Sequence, residues 1–236
     1  MSTHVRLNFM LISYIIIGKI IEFTLTEDNL MNYNAQFVKR KMDKWSNYIT
    51  EFELPAYKDL PSIGLYMDQI ITLLSQYLGY LPNSYELNAE TFITANAINN
   101  YVRLGAIPAP IKKKYYANHI AYLIMICVLK PSLSISDISQ LIPANLSEEE
   151  LKTVYNRFKE IHKDSSVKLI SHLQAIAGTP ETDNDVIELI ITSAVNTSLC
   201  KRFSEKMSAL NGINDEEAEK IERQKHSKST KSGKTK

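Results

Sequence analysis

The chain has 236 residues, 44% of them hydrophobic and 22% charged, with a formal net charge of +1. That length and composition fit a globular protein of one large or two small domains with a real core. Seven glycines argue against a many-turned β-barrel or a glycine-rich phosphate-binding fold, and two distant cysteines, Cys127 and Cys200, exclude a disulfide framework or a cysteine-based metal site. The cysteine usage fits a reducing cytoplasm.

The first strongly patterned stretch is Phe9 to Ile21, which is apolar but broken by Gly18 and Lys19. It is short for a membrane span, which needs about 20 residues. Arg6 stands where a signal peptide carries its charge, yet no small-residue cleavage site follows. Three readings stay open for residues 1–30: an apolar extension outside the fold ahead of a start at Met31, an ordinary structured element, or an anchor or signal.

Residues 31–53 read as an N-terminal helix, with Phe37, Val38, Met42, Trp45 and Ile49 at helical spacing. Pro55 and Pro61 then break the chain. Ser62 opens a second predicted helix, whose apolar positions Ile63, Met67, Ile70, Ile71, Leu74 and Leu78 run to Gly79. A polar loop with Pro82, Asn83 and Ser84 follows. Thr94 is an N-cap candidate for a helix over 94–104, and Gly105 closes it. Pro108 and Pro110 forbid helix next. Ile111 to Tyr116 is short, basic and extended, which suits a small β wing. Ala117 to Leu129 is apolar almost all round, so it is a buried helix that Pro131 stops.

Ser134 and Ser147 each open a capped helix, the first to Leu141 and the second carrying Leu151, Val154, Tyr155, Phe158 and Ile161 on one face. A separate short helix is expected over Val167 to Ala177, and a long one over Asn184 to Leu210. Lys225 to Lys236 is rich in Ser, Thr and Lys, so the basic tail from 213 to 236 reads as disordered.

One segment stands apart electrostatically. Thr91 to Ser136 contains no Asp or Glu, where about five were expected, yet it carries Arg103, Lys112, Lys113, Lys114 and Lys130. A one-signed field on one segment of a nearly neutral protein is the footprint of a polyanion binder. A merely apolar segment would not need Lys112–Lys114, which cannot all be buried unpaired.

The order of capped helix, glycine stop, proline turn, basic wing and buried helix resembles the winged helix-turn-helix of MerR-type regulators. The matching residues are Thr94, Ile98, Tyr101, Leu104-Gly105-Ala106-Ile107-Pro108, Lys114-Tyr115, His119 to Leu123, and Ser134 to Ile138. The chain is also similar to the bacterial domain-of-unknown-function 1836 family. That likeness lies in Tyr66 to Ile70, Ile98 to Val102, the Pro-x-Pro before the lysines, and Ser134-Ile135-Ser136-Asp137-Ile138. It covers Leu54 to Ile142. Two departures from the MerR pattern are plain: the three lysines are contiguous with no glycine in the wing, and Tyr116 or Asn118 must cap the helix after it.

The expected architecture is therefore all-α, mainly helical with a small β wing. It divides into the extension 1–30, a helix in 31–53, a MerR-like module in 54–142, a C-terminal helical region in 143–212 and the tail 213–236. The resemblance implies a cytoplasmic DNA-binding transcription regulator acting on double-stranded DNA. Thr94, Asn96, Asn99, Asn100 and Arg103 on helix 94–104 would face the major groove. Amides suit adenine, and Arg103 can reach guanine or a phosphate. Lys112, Lys113 and Lys114 would sit on phosphates. Tyr115 would donate to a phosphate or pack against the domain. DNA readers of this kind work as dimers, and the apolar helix 184–210 is the dimerisation candidate, although it shows no clean heptad.

No catalytic motif, cofactor fingerprint or metal-ligand spacing is readable, so no enzyme, cofactor or metal is expected. The other reading is a protein-interaction adaptor that keeps the MerR-like fold without binding DNA. A contiguous positive surface favours DNA; dispersed charges or an apolar patch favour the adaptor.

Overall fold

The computed structural model describes residues 33–80, 93–177, 180–214 and 217. The extension 1–30, the loop around Pro82 to Ser84 and nearly all of the tail 213–236 lie outside the described residues. Seven α-helices carry the described chain: α1 (Ala35–Glu51), α2 (Met67–Tyr77), α3 (Ala95–Arg103), α4 (Ala117–Leu129), α5 (Ile135–Leu141), α6 (Glu148–Ala177) and α7 (Asp183–Ser208), with a 3₁₀ turn at Tyr57–Asp59. The mainly helical expectation holds. In place of a strand pair, the described residues have two isolated bridges, Ile111 with Lys114 and Leu65 with Tyr115.

α4 is the centre of the fold. Every residue from His119 to Ile126 is buried, so this helix has no polar face to show to water and must be wrapped on all sides. α2, α5 and the first half of α6 pack around it. Ile70, Leu74 and Leu78 come from α2 and its end, Ile98 from α3, Ile138 from α5, and Leu151 and Tyr155 from α6.

Local signals set most helix ends. The Asn34 side chain accepts from Phe37 N at 2.9 Å and starts α1. Thr94 Oγ1 accepts from Ala97 N at 3.2 Å and starts α3. Ser134 and Ser147 each bond reciprocally with an acid three residues on, Asp137 and Glu150, at the starts of α5 and α6. Side-chain oxygens here replace the carbonyl partners that a helix's first N–H groups lack.

Two boundaries differ from expectation. The second helix starts at Met67, not at Ser62. Leu65 exchanges both backbone hydrogen bonds with Tyr115 at 2.8 Å, which holds residues 62–65 extended and leaves Ile63 exposed. The two expected helices in 148–177 are one helix of 30 residues. The polar run between Ile161 and Val167 stays helical: Ser166 Oγ shares the His162 carbonyl at 2.9 Å without breaking the helix, and Lys168 stands near Asp164 one turn away.

α1 docks on α6 and α7 at the side of this core. Lys163 Nζ donates to the carbonyl of Thr50 at 2.7 Å in the last turn of α1, a cation placed where a helix C-terminus is negative. Lys159 and Lys163 both reach Glu53 at 3.3 Å, and their ammonium groups hold its carboxyl below the ordinary range. Tyr57 N donates to Asn156 Oδ1 at 3.1 Å and ties the linker to α6.

The Tyr155 ring is fully buried and its hydroxyl finds no hydrogen-bond partner among the described residues. An unmade buried hydrogen bond costs about 1–3 kcal/mol. Tyr155→Phe is therefore expected to leave the melting temperature unchanged or to raise it. A fall of several degrees in calorimetry would show that the hydroxyl has a partner after all.

Candidate nucleic-acid interface

α3 is short and strongly two-sided. Ile98 is fully buried, while Asn96, Asn99 and Arg103 are exposed. Positions 96, 99, 100 and 103 are three or four residues apart, so they share one face of the helix. Nine residues at 1.5 Å rise give a rod of about 13 Å. Arg103 Nη2 donates to Asn100 Oδ1 at 2.7 Å, which fixes the guanidinium along that face and occupies the amide oxygen of Asn100. Thr94 is used as the cap.

The helix ends in a Schellman motif. Ala106 N bonds Tyr101 O at 2.9 Å and Gly105 N bonds Val102 O at 3.0 Å, with Gly105 at φ +67°. A Cβ on Gly105 would meet nothing within 4 Å, so backbone conformation alone decides this position. Gly105→Ala is expected to cost about 1–2 kcal/mol, seen as a melting temperature lower by roughly 2–8 °C. An unchanged midpoint would show that the turn relaxes without loss.

After Pro108 and Pro110 the chain makes a two-residue turn. Ile111 and Lys114 exchange N–H···O bonds at 3.0 and 2.9 Å, and Lys112 and Lys113 at the tip have φ of +50° and +64°. Positive φ at both central residues is the signature of a hairpin turn that favours Asn or Gly, so two lysines there are strained. Both are exposed. Lys114 is half-buried with its ammonium 5.1 Å from the centroid of the Tyr66 ring, a cation–π contact. Tyr115 is buried at 3% exposure, so it packs against the domain, the second of its two expected roles. Among the described residues, Arg103, Lys112, Lys113 and Lys114 make no ion pair with a carboxylate.

The turn is held from below by Leu65, Tyr66, Gly64 and His119. Leu65 pairs with Tyr115, and Tyr66 supports Lys114. Gly64 lets the Tyr116 ring come close, since a Cβ there would sit 2.7 Å from Tyr116 Cζ. His119 is 1% exposed. Its Nδ1 accepts from Tyr116 N at 3.1 Å, capping α4, and its Nε2 lies 3.1 Å from the Ala109 carbonyl just before the turn. An accepting Nδ1 makes Nε2 the protonated donor of a neutral ring. Burial pushes the His119 pKa below its ordinary value, against the pull of the Ala109 carbonyl. The legible signal was a lone histidine within an otherwise apolar helix.

Cys127 is half-buried within α4 and burial pushes its thiol up to about 12, so it is an inert packing group. Among the described residues no helix is long and apolar enough to cross a membrane.

The fold and site together define a helical domain whose wrapped central helix carries a short polar helix and a basic turn. Residues 55–158, just under half of the chain, match the family model described as a domain of unknown function (DUF1836), which bears out that resemblance over this stretch. The match begins after Leu54 and runs beyond Ile142 to Phe158, taking in the first half of α6 whose Leu151 and Tyr155 complete the core. Neither the curated proteins nor the solved structures contain a match to the chain.

Proposed function

We propose that the protein is a cytoplasmic DNA-binding transcription regulator of MerR-like winged helix-turn-helix type. α3 would read bases, and the 111–116 turn would serve as the wing on phosphates. One observation carries this reading: exposed cations without carboxylate partners, in a stretch that holds no acid from Thr91 to Ser136. Such a surface lowers its own repulsion by exchanging counterions for a polyanion. The exposed amides of Asn96 and Asn99 fit the donor–acceptor pair of adenine in a major groove about 12 Å wide.

The connection from Leu78 to Thr94 is longer than the three or four residues of a typical helix-turn-helix turn. The reading therefore rests on the exposed face of α3 and the basic turn, not on the connection between α2 and α3. Protein-interaction adaptor is the second reading. It is favoured by Ile63, Tyr66 and Ile111, large apolar groups exposed around the same turn.

The experiment is in vitro selection of DNA followed by fluorescence anisotropy. The full chain is expected to enrich a defined site. Asn99→Ala should lose about 1–3 kcal/mol on that site and little on random DNA. Equal losses on both would move Asn99 from base reading to backbone positioning. Failure to enrich any sequence would leave the adaptor reading.

A further inference from the structure

α7 has two faces, and only one is used. Val186 is buried and Leu189 and Ser193 are partly covered on the side that meets α6 and α1. Away from that side, Ile191, Val195, Leu199 and Phe203 recur at every fourth residue, and all are exposed, Leu199 at 63% and Phe203 at 64%. From Ile191 to Phe203 the row is about 18 Å long at 1.5 Å per residue. Contiguous apolar rows of this kind on a folded surface mark interfaces.

The charges on the same helix say what covers the row. Its first part carries Asp183, Asp185 and Glu188, and its last part carries Lys201, Arg202 and Lys206, with Glu205 the one acid among them. Glu205 pairs with Arg202 at 3.4 Å within the chain. Glu188 and Lys206 have no ion pair among the described residues. A second α7 laid parallel would put acid on acid and base on base. Laid antiparallel, it puts acid on base at both ends, and opposes the helix dipoles favourably. The antiparallel register that sets Val195 on Leu199 also sets Glu188 on Lys206, which stand five whole turns apart on the same line of the helix. One register thus satisfies the apolar row and the charges together.

We propose that α7 pairs antiparallel with α7 of a second copy of this chain, through that row, in a two-fold symmetric contact. A single helix pair buries no more than the roughly 800 Å² per partner of a standard interface, small for a permanent dimer, so the contact is expected to be reversible. This inference does not depend on DNA binding: its test contains no DNA, and either can fail alone.

Analytical ultracentrifugation of the full chain, from low to high micromolar, tests it. The expected result is a monomer–dimer equilibrium reaching about 54 kDa, twice the 26.9 kDa chain. Leu199→Glu should keep the far-ultraviolet circular dichroism and remain monomeric. Glu188→Lys and Lys206→Glu should each weaken the dimer roughly five-fold, since each places two like-charge pairs in the symmetric contact, and the double variant should recover it. A single-chain mass throughout the range overturns the proposal, as it would if another segment of the chain covers the row. A dimer that survives Leu199→Glu, or a double variant weaker than both singles, overturns it as well.

Discussion

Replacing Lys112 and Lys113 together is expected to lower the slope of log affinity against log salt by about 1.8, at roughly 0.9 per phosphate contact. On counterion release alone this is roughly 60-fold weaker binding at about 0.1 M salt, equally on specific and random DNA. Asparagine is the right replacement. Both positions have positive φ, which asparagine tolerates better than alanine, so Lys112→Asn with Lys113→Asn removes charge without adding strain. Lys114 should behave differently. Its ammonium lies over the Tyr66 ring and its backbone closes the turn, so Lys114→Asn should lower the slope by less than either tip lysine. Anisotropy over a salt series decides it. Measurable binding with an unchanged slope in the Lys112, Lys113 double variant would take the turn off the phosphates.

His119→Ala is expected to have the largest effect on stability, about 3–5 kcal/mol. Removing the ring takes away the partner of the half-buried Tyr116 N–H and of the Ala109 carbonyl, at about 1–3 kcal/mol for the unmade hydrogen bond, and leaves a cavity beside Tyr115 and α4. His119→Asn should recover part of the loss, because an amide oxygen can accept from Tyr116 N in place of Nδ1. Chemical denaturation measures both. A loss below about 1 kcal/mol for His119→Ala would mean that water replaces both contacts.

The same ring sets a pH dependence. Burial holds His119 neutral below the ordinary 6.5. Burial, with Lys163 beside it, does the same to His162, which lies 2.6 Å from the Tyr80 hydroxyl. In the unfolded chain both rings titrate near their ordinary value, so the unfolded state binds more protons as pH falls. Their contribution is fully present above about pH 6.5 and is lost progressively below it, through the lower folded values. His119→Asn should flatten that decline.

The sequence by itself determined the parts governed by contacts within a few residues. Thr94, Ser134 and Ser147 start their helices, Gly105 stops α3, and the all-round apolar character of Ala117 to Leu129 makes α4 the core. Caps and glycine stops act over three or four positions, so the chain spells them out. The acid-free basic stretch was legible for the same reason, since charge is a property of composition.

Tertiary structure alone decided the rest. Residues 62–65 have helical spacing, yet a bridge to Tyr115, fifty positions away, holds them extended. Lys163, in the polar pause of α6, reaches Thr50 and Glu53 at the end of α1. Among the aromatic and basic residues around the turn, Tyr115 turned inward, Lys114 settled on Tyr66, and Lys112 and Lys113 stayed in solvent. His119 became the joint between α4 and the turn through two backbone groups with no sequence signature. Long-range backbone pairing and burial depend on which surfaces meet once α4 is wrapped, and neither is encoded in the spacing of any one segment.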